Sequence, residues 1–286
     1  MSTVAAHPSP WRLAWQRLCR SRAAVAAMLL LVLMGLLCVV GPWFSPYGPN
    51  DQDLNLRAVP PSAAHWLGTD PLGRDLATRI LHGGRISLLV GLLATAVAAV
   101  IGVGYGLVAG LSGRRVDALM MRLVDVLYAF PFITFVILLV VIFGRQFVLI
   151  FVAIGAVEWL TMARVVRGQV LALKRLEYVQ AARAAGAGFW RILLRHMLPN
   201  VMGPVIIYAS LTVPGVMLLE ATLSFLGLGI QPPDASWGVL ISEGAANMAV
   251  NPWMLAGPAS FFTLTLLALN LLGDGLRDAL DPRTLS

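Results

Sequence analysis

The chain has 286 residues, of which 58% are apolar and only 12% charged, with a formal net charge of +7. A soluble domain carries about a quarter charged residues, so this composition points to the bilayer as solvent. A basic balance suits nucleic acid only when the charges cluster on one face of a soluble module; here they fall between long apolar runs, and no nucleic-acid partner is expected.

The chain begins with Arg12, Arg17, Arg20 and Arg22, followed by the uncharged run Ala23–Phe44 of 22 residues. That run exceeds a usual signal-peptide core, and Pro42-Trp43-Phe44 is a poor cleavage context, so an uncleaved anchor is expected. Further uncharged runs lie between Arg85 and Arg114, Asp125 and Arg145, Arg145 and Arg164 (interrupted by Glu158), Arg195 and Glu220, and Glu243 and Asp274. Each is near or above the roughly 18–20 residues that cross about 30 Å of hydrocarbon. The runs are continuously apolar rather than alternating, which fits helices and not a β-barrel. The expected fold is an all-α polytopic membrane protein with six transmembrane helices. A short segment, 1–22, precedes a transmembrane domain, 23–286, with loops at 45–85, 174–199 and 229–251.

Basic residues set the orientation. If the N-terminus is cytoplasmic, sixteen of the 21 Lys and Arg lie inside, and only Arg57, Arg74, Arg79, Arg85 and Arg145 lie outside. Both termini are therefore expected in the cytoplasm, which six spans also require. The 45–85 and 229–251 loops then face outward, and 174–199 faces inward.

Signs of catalysis or cofactor binding are absent from the sequence. Cys19 and Cys38 have no disulfide or metal-ligand spacing, and His7, His65, His82 and His196 are scattered. No Ser/His/Asp or Cys/His set suggests catalysis. A phosphate-binding loop needs Gly before its Lys, whereas Leu173 precedes Lys174, the only lysine. No nucleotide site of its own is expected.

The inner segment reads as two short helices. Glu177–Ala185 consists of strong helix formers, Gly186-Ala187-Gly188 breaks them, and Phe189–Met197 mixes bulky apolar residues with Arg191 and Arg195. Ala181, Ala182 and Ala185 leave room for another backbone. From composition alone, a basic hairpin resting on anionic headgroups is the favoured reading.

The pattern Glu177, Gln180-Ala181-Ala182-Arg183, Gly186, Ile192, Leu198-Pro199 resembles the signature loop of ABC importer permeases. In that family a Glu precedes the two alanines, where this chain has Gln180, and Met197 stands where the family has Ile. Gly68-Thr69-Asp70-Pro71-Leu72-Gly73-Arg74-Asp75 is similar to the external motif of the C-type subunit of dipeptide and oligopeptide permeases. Ser224–Gly238 and Asp125–Pro131 resemble the same subfamily's segments after the fifth span and at the start of the third. The resemblance covers about residues 25–283. It implies a type I importer permease fold in the cell inner membrane and half of a pathway for di- and oligopeptides. It also implies a second, different permease subunit, two ATPase subunits that bind ATP and Mg, and an external substrate-binding protein. The loop at 177–199 would dock into the ATPase. Two alternatives stand: the same architecture importing nickel chelates, glutathione or peptide antibiotics, and an ion-coupled secondary transporter. The latter class usually shows repeated halves and several intramembrane carboxylates.

Charges within spans are functional candidates, which singles out Glu158 and Glu220 for the pathway or its gate. Glu220 would meet a peptide's ammonium group, or bond to backbone or Arg at the interface. Glu158 would otherwise pair with Arg164 or Arg167. Outside, Asp70, Arg74 and Asp75 are expected to pair locally and with Arg79. Pro232-Pro233 and Trp237 suggest a rigid re-entrant or interfacial element, and Gly227 and Gly229 permit close helix approach.

Overall fold

The computed structural model describes residues 10–144 and 147–280. Arg145, which bounds two of the expected spans, lies outside them, as do His7 and Arg283. The helices in chain order are α1 (Pro10–Arg20), α2 (Arg22–Phe44), α3 (Leu76–Leu111), α4 (Arg114–Tyr128), α5 (Phe132–Phe143) and α6 (Phe147–Leu173). They continue with α7 (Glu177–Ala184), α8 (Phe189–Ile192), a π-helical turn (Leu193–Met197), α9 (Leu198–Phe225), α10 (Trp237–Ala246) and α11 (Trp253–Leu280). No strand is present among the described residues.

Four of the described helices are long and apolar enough to cross a membrane: α2, α3, α9 with its lead-in from Phe189, and α11. The pair α4–α5 makes a fifth if taken as one span, but it is bent by 77°. The expected six spans therefore do not map one to one. The third expected run, after Asp125, breaks between Tyr128 and Phe132, where Pro131 disfavours a helical residue before it. The fourth falls within α6, which is 27 residues long and extends past Arg164 and Arg167. The second begins earlier than Arg85. Its helix, α3, starts at Leu76 and has 36 residues, about 54 Å at 1.5 Å per residue. It overshoots a hydrocarbon core of about 30 Å and carries Arg79 and Arg85 in its N-terminal turns.

α3 is the spine of the bundle, packed on both α6 and α9. Its contact with α6 depends on small residues one turn apart. A Cβ on Gly102 would lie 2.6 Å from Met162 Cβ, and one on Gly106 would lie 2.6 Å from the Ala163 carbonyl oxygen. Such positions let helix backbones approach without side chains between them.

Several apolar clusters make up the core. At the end that carries the 174–199 hairpin, Leu107, Val166, Val179, Ile192, Met197 and Val201 pack together. At the end that carries the 45–85 loop, Ile80, Met217, Trp237, Leu240 and Phe262 do so. Trp237 is fully buried at 0% exposure rather than interfacial; its indole Nε1 donates to the Ile80 carbonyl at 2.8 Å and its backbone N–H to Ser87 Oγ at 3.0 Å. A buried Trp needs a partner for its N–H, and both partners sit on α3. Gly227, at φ +74, ends α9 rather than admitting a neighbouring helix. Gly229 does mark a close approach: a Cβ there would lie 2.4 Å from Ser224 Cα.

Candidate functional site

The inner hairpin follows from its sequence in steps. α7 is closed by αL glycine geometry: Gly186 has φ +80, the Ala187 N–H reaches the Ala182 carbonyl at 3.0 Å, and the Gly186 N–H reaches Arg183 at 2.9 Å. Only Gly takes that conformation without steric cost. The chain then reverses into α8. Val179, Ile192 and Met197 turn inward and are buried against Leu107, Val166 and Val170. Glu177, Gln180, Ala181, Arg183 and Gly186 are exposed, and Ala182 is half-buried. Thus five of the nine residues singled out for this loop are exposed on one hairpin, with Ala182 at their margin. Ile192 is instead an anchor on its underside. Leu198 and Pro199 lie at the start of α9, where proline suits the first helical turn.

The hairpin's open face is apolar and basic. Tyr178, Phe189, Trp190 and Leu194 are exposed beside Arg175, Arg183 and Arg191. Gln180 folds back, its Nε2 donating to the Lys174 carbonyl at 2.8 Å. Lys174 Nζ in turn donates to the Gly110 carbonyl at 2.9 Å, tying the hairpin's root to the end of α3. A cavity of about 510 Å³ lies between the turn at Ser112-Gly113 and the hairpin, lined by Lys174, Arg183, Phe189 and Ile192 among others.

A brace that sequence reading missed stiffens this end. Arg167 forks onto Asp117 with bonds of 2.5 and 2.8 Å, and Arg164 donates to Asp125 at 2.8 Å while lying over the Tyr128 ring. These pairs fasten α6 to α4. They also correct the expected partners of Glu158, since both arginines are engaged elsewhere. On an α-helix, residues six or nine apart do not face each other as those three or four apart do, and α4 offers carboxylates at the right height. Opposite charges were visible in the sequence, but not the fold that brings together residues 50 apart.

Glu158 is half-buried on α6. Glu220, on α9, is fully buried at 0% exposure. Its Oε1 accepts hydrogen bonds from Ser224 Oγ at 2.7 Å and Ser236 Oγ at 2.6 Å, and its Oε2 has no partner. Ser236 also caps α10, accepting from the Val239 N–H at 3.2 Å. The carboxyl therefore joins α9 to the start of α10. Its neighbours are serine hydroxyls rather than the backbone or Arg expected from sequence.

The external motif forms a compact knot. Gly68 and Gly73 take positive φ, and a Cβ on Gly73 would collide with the Asp53 carbonyl. Thr69 Oγ1 accepts from the Val59 N–H at 2.8 Å and donates to the Leu56 carbonyl at 2.5 Å. Asp70, at 0% exposure, accepts from Arg74 Nε and Arg79 Nη1, each at 2.6 Å. Asp75 caps α3, accepting from the Thr78 N–H at 2.8 Å, and its other oxygen meets His65 Nδ1 at 3.0 Å. Asp70 thus pairs with Arg74 and Arg79 as expected, whereas Asp75 meets His65 and Thr78 instead of an arginine, and Arg79 also reaches Glu243.

Residues 102–286 match the family described as "Binding-protein-dependent transport system inner membrane component". Residues 9–61 match "N-terminal TM domain of oligopeptide transport permease C". The oligopeptide transport system permease protein OppC of Haemophilus influenzae is 50% identical over 277 residues, 96% of this chain and 89% of that protein. The dipeptide transport system permease protein DppC of Bacillus subtilis is 48% identical over 271 residues, 94% of this chain and 85% of that one. The glutathione transport system permease protein GsiD of Pectobacterium atrosepticum is 42% identical over 276 residues, 96% and 92% of the two chains. Among solved structures, a chain of the MetNI methionine ABC transporter in inward-facing conformations is similar, with TM-score 0.54 and 18% identity, covering 70% of this chain and 96% of that one. At that identity the likeness speaks for the fold alone. Sequence and fold agree, and the chain belongs to the family of binding-protein-dependent transport system inner membrane components.

Proposed function

We propose that this chain forms half of the translocation pathway of an ATP-driven importer of di- and oligopeptides, in the inner membrane with both termini cytoplasmic. The observation that carries this reading is the 50% identity to an oligopeptide permease subunit across 96% of the chain. A second, different permease subunit completes the pathway, two ATPase subunits bind ATP and Mg, and an external binding protein delivers the peptide. Leu173 before the only lysine supports placing ATP hydrolysis on the partners.

In this reading the exposed face of residues 177–191 docks into an ATPase subunit. Closure of the ATPases on ATP then moves the hairpin as a rigid piece, because Val179, Ile192 and Met197 anchor it. The motion passes directly into α9 through the π-helical turn. It passes into α4 through the Arg167–Asp117 and Arg164–Asp125 pairs. Such two-position movement of packed helices is the ordinary means of switching access. Glu220 holds α10 on α9, and Glu158 is the candidate pathway carboxylate.

The 42% identity to a glutathione permease subunit supports glutathione as a second cargo reading. Competition decides between them. Uptake of a radiolabelled tripeptide by cells carrying this transporter should be inhibited by di- and oligopeptides and unaffected by glutathione. Inhibition by glutathione alone would reverse the assignment.

A further inference from the structure

The N-terminal helix has a face that nothing in the described chain covers. On a helix of 3.6 residues per turn, Trp11, Ala14, Trp15 and Leu18 of α1 share one side, while Arg12, Gln16 and Arg20 share another. Leu18 is buried, packed with Ala24 of α2 and Ala279 of α11. A Cβ on Gly275 would lie 2.6 Å from Ala24 Cβ and 3.3 Å from Leu18 Cδ1, so this junction is tight. Trp11 and Trp15, one turn apart on the adjoining edge, remain 51% and 57% exposed.

Covalent continuity fixes the depth of that edge. α2 runs from Arg22 to Phe44, about 33 Å at 1.5 Å per residue, which matches a hydrocarbon core of about 30 Å. Its far end carries Trp43 and Phe44, 77% and 83% exposed, in the place where aromatic side chains mark a membrane boundary. Arg22 must then stand at the opposite boundary. α1 ends at Arg20, separated from α2 only by Ser21, whose hydroxyl caps α2 by accepting from the Ala24 N–H at 3.3 Å. The short connection and the contact at Leu18 keep α1 beside the interface, and the lipid sets how deeply its Trp11–Trp15 edge seats.

Charge identifies the surface it meets. The first 50 residues contain Arg12, Arg17, Arg20 and Arg22 and not one Asp or Glu. Arg20 and Arg22 are exposed. Two exposed tryptophans beside an edge that carries arginine and no acidic residue, at the end of a span, suit the headgroup layer of a bilayer rather than water. We propose that α1 is an anionic-lipid binding element. Trp11 and Trp15 insert among the acyl-chain ends, and Arg20 and Arg22 engage phosphate-bearing anionic headgroups of the leaflet on the N-terminal side. In the orientation proposed above, that is the cytoplasmic leaflet. The inference itself needs only that α2 spans, so its failure and a failure of the transport reading are separable.

The native cysteines provide the probe, since Cys19 is exposed on α1 and Cys38 is buried. The assembled transporter carries Cys38→Ala and partner subunits without reactive cysteines. With an environment-sensitive fluorophore on Cys19, it is placed in nanodiscs of phosphatidylcholine, with or without phosphatidylglycerol. Both contain a lipid with a nitroxide near its headgroup. The Cys19 probe should be quenched more strongly in the anionic discs, and the difference should shrink in about 1 M salt, where the screening length falls to about 3 Å. Arg20→Gln with Arg22→Gln should remove the dependence on lipid charge, because each arginine near an anionic leaflet favours the seated state about fivefold. Trp11→Ser with Trp15→Ser should reduce quenching in both disc types. Equal quenching of the unaltered helix in neutral and anionic discs would overturn the proposal. Protection from quenching in both would also overturn it, by showing that a protein subunit covers the face.

Discussion

Arg79, on the first turn of α3, donates through one nitrogen to both Asp70 Oδ2, at 2.6 Å, and Glu243 Oε2 on α10, at 2.9 Å. One guanidinium thus joins the external loop, the long helix α3 and the short helix α10. Arg79 is 3% exposed and Asp70 is not exposed at all. Removing one partner of a buried pair outright costs about 3–5 kcal/mol; without Arg79, Asp70 keeps Arg74, so the loss is a part of that cost together with the link to Glu243. Arg79→Ala is therefore expected to loosen the outer face. In detergent, its thermal unfolding midpoint, followed by size-exclusion fluorescence, should fall by several degrees, while Arg57→Ala, in the exposed part of the same loop, should shift it little. Equal midpoints for the two variants would contradict a structural role for Arg79.

Glu220 makes a different prediction. Its Oε1 accepts two serine hydroxyls and no cation lies among its hydrogen-bond partners. Glu220→Gln keeps an acceptor oxygen in that place and should be tolerated in folding and uptake. Glu220→Leu leaves the Ser224 and Ser236 hydroxyls without their acceptor, at about 1–3 kcal/mol for each buried group, and should release α10. Proteolysis of the loop at 226–236 in membranes turned outward should then accelerate for Leu and not for Gln. If Gln abolishes uptake without loosening α10, the carboxylate charge acts in transport and the packing role is insufficient.

The turn at Gly186 separates folding from coupling. A Cβ there meets nothing within 4 Å, but φ is +80, so Gly186→Val is opposed by backbone strain of about 1–3 kcal/mol rather than by a clash. The position is outside the spans. Gly186→Val should reach the membrane in normal amount yet lose ATPase binding and peptide uptake. Gly188 has φ −68 and also open space, so Gly188→Ala should keep both. Normal ATPase binding and uptake by Gly186→Val would remove the coupling role from this loop.

Orientation is tested by labelling. Single cysteines at Asn55 and Asn247, in a variant lacking Cys19 and Cys38, should react with an impermeant maleimide from outside intact cells, and one at Ser112 should not. Ser112 lies in the turn between α3 and α4, beside the inner cavity. Labelling of position 112 from outside would invert the topology.

The parts of the fold that depend on local chemistry were readable from the chain. The apolar runs marked α2 and α11, and Gly186 marked the turn between two short helices. The Asp70–Arg74–Arg79 cluster announced itself by close spacing of opposite charges. What stayed hidden depends on distant partners. The span after Asp125 reads as one apolar run because hydropathy is blind to the bend at Pro131. From sequence Trp237 suits a re-entrant or an interfacial element alike, because its burial requires Ile80 and Ser87, roughly 150 residues earlier. The sequence offers Glu158 either a pathway role or a pair with Arg164 or Arg167, and α4 takes both arginines through Asp125 and Asp117. Glu220 stood out as costly in a span, but nothing local to Ser236 said that its hydroxyl would meet it.

In the proposed role this chain moves peptides under the power of separate ATPases. The most direct measurement is uptake of a labelled tripeptide into proteoliposomes holding this chain, its partner permease and the ATPase subunits, with the external binding protein supplied on the side of the 45–85 loop. Uptake should require ATP and Mg on the opposite side and persist when ion gradients are collapsed. It should stop when the ATPase subunits are omitted, and this chain alone should hydrolyse no ATP. Uptake driven by a proton or sodium gradient without ATP would contradict the account and place the chain among ion-coupled transporters.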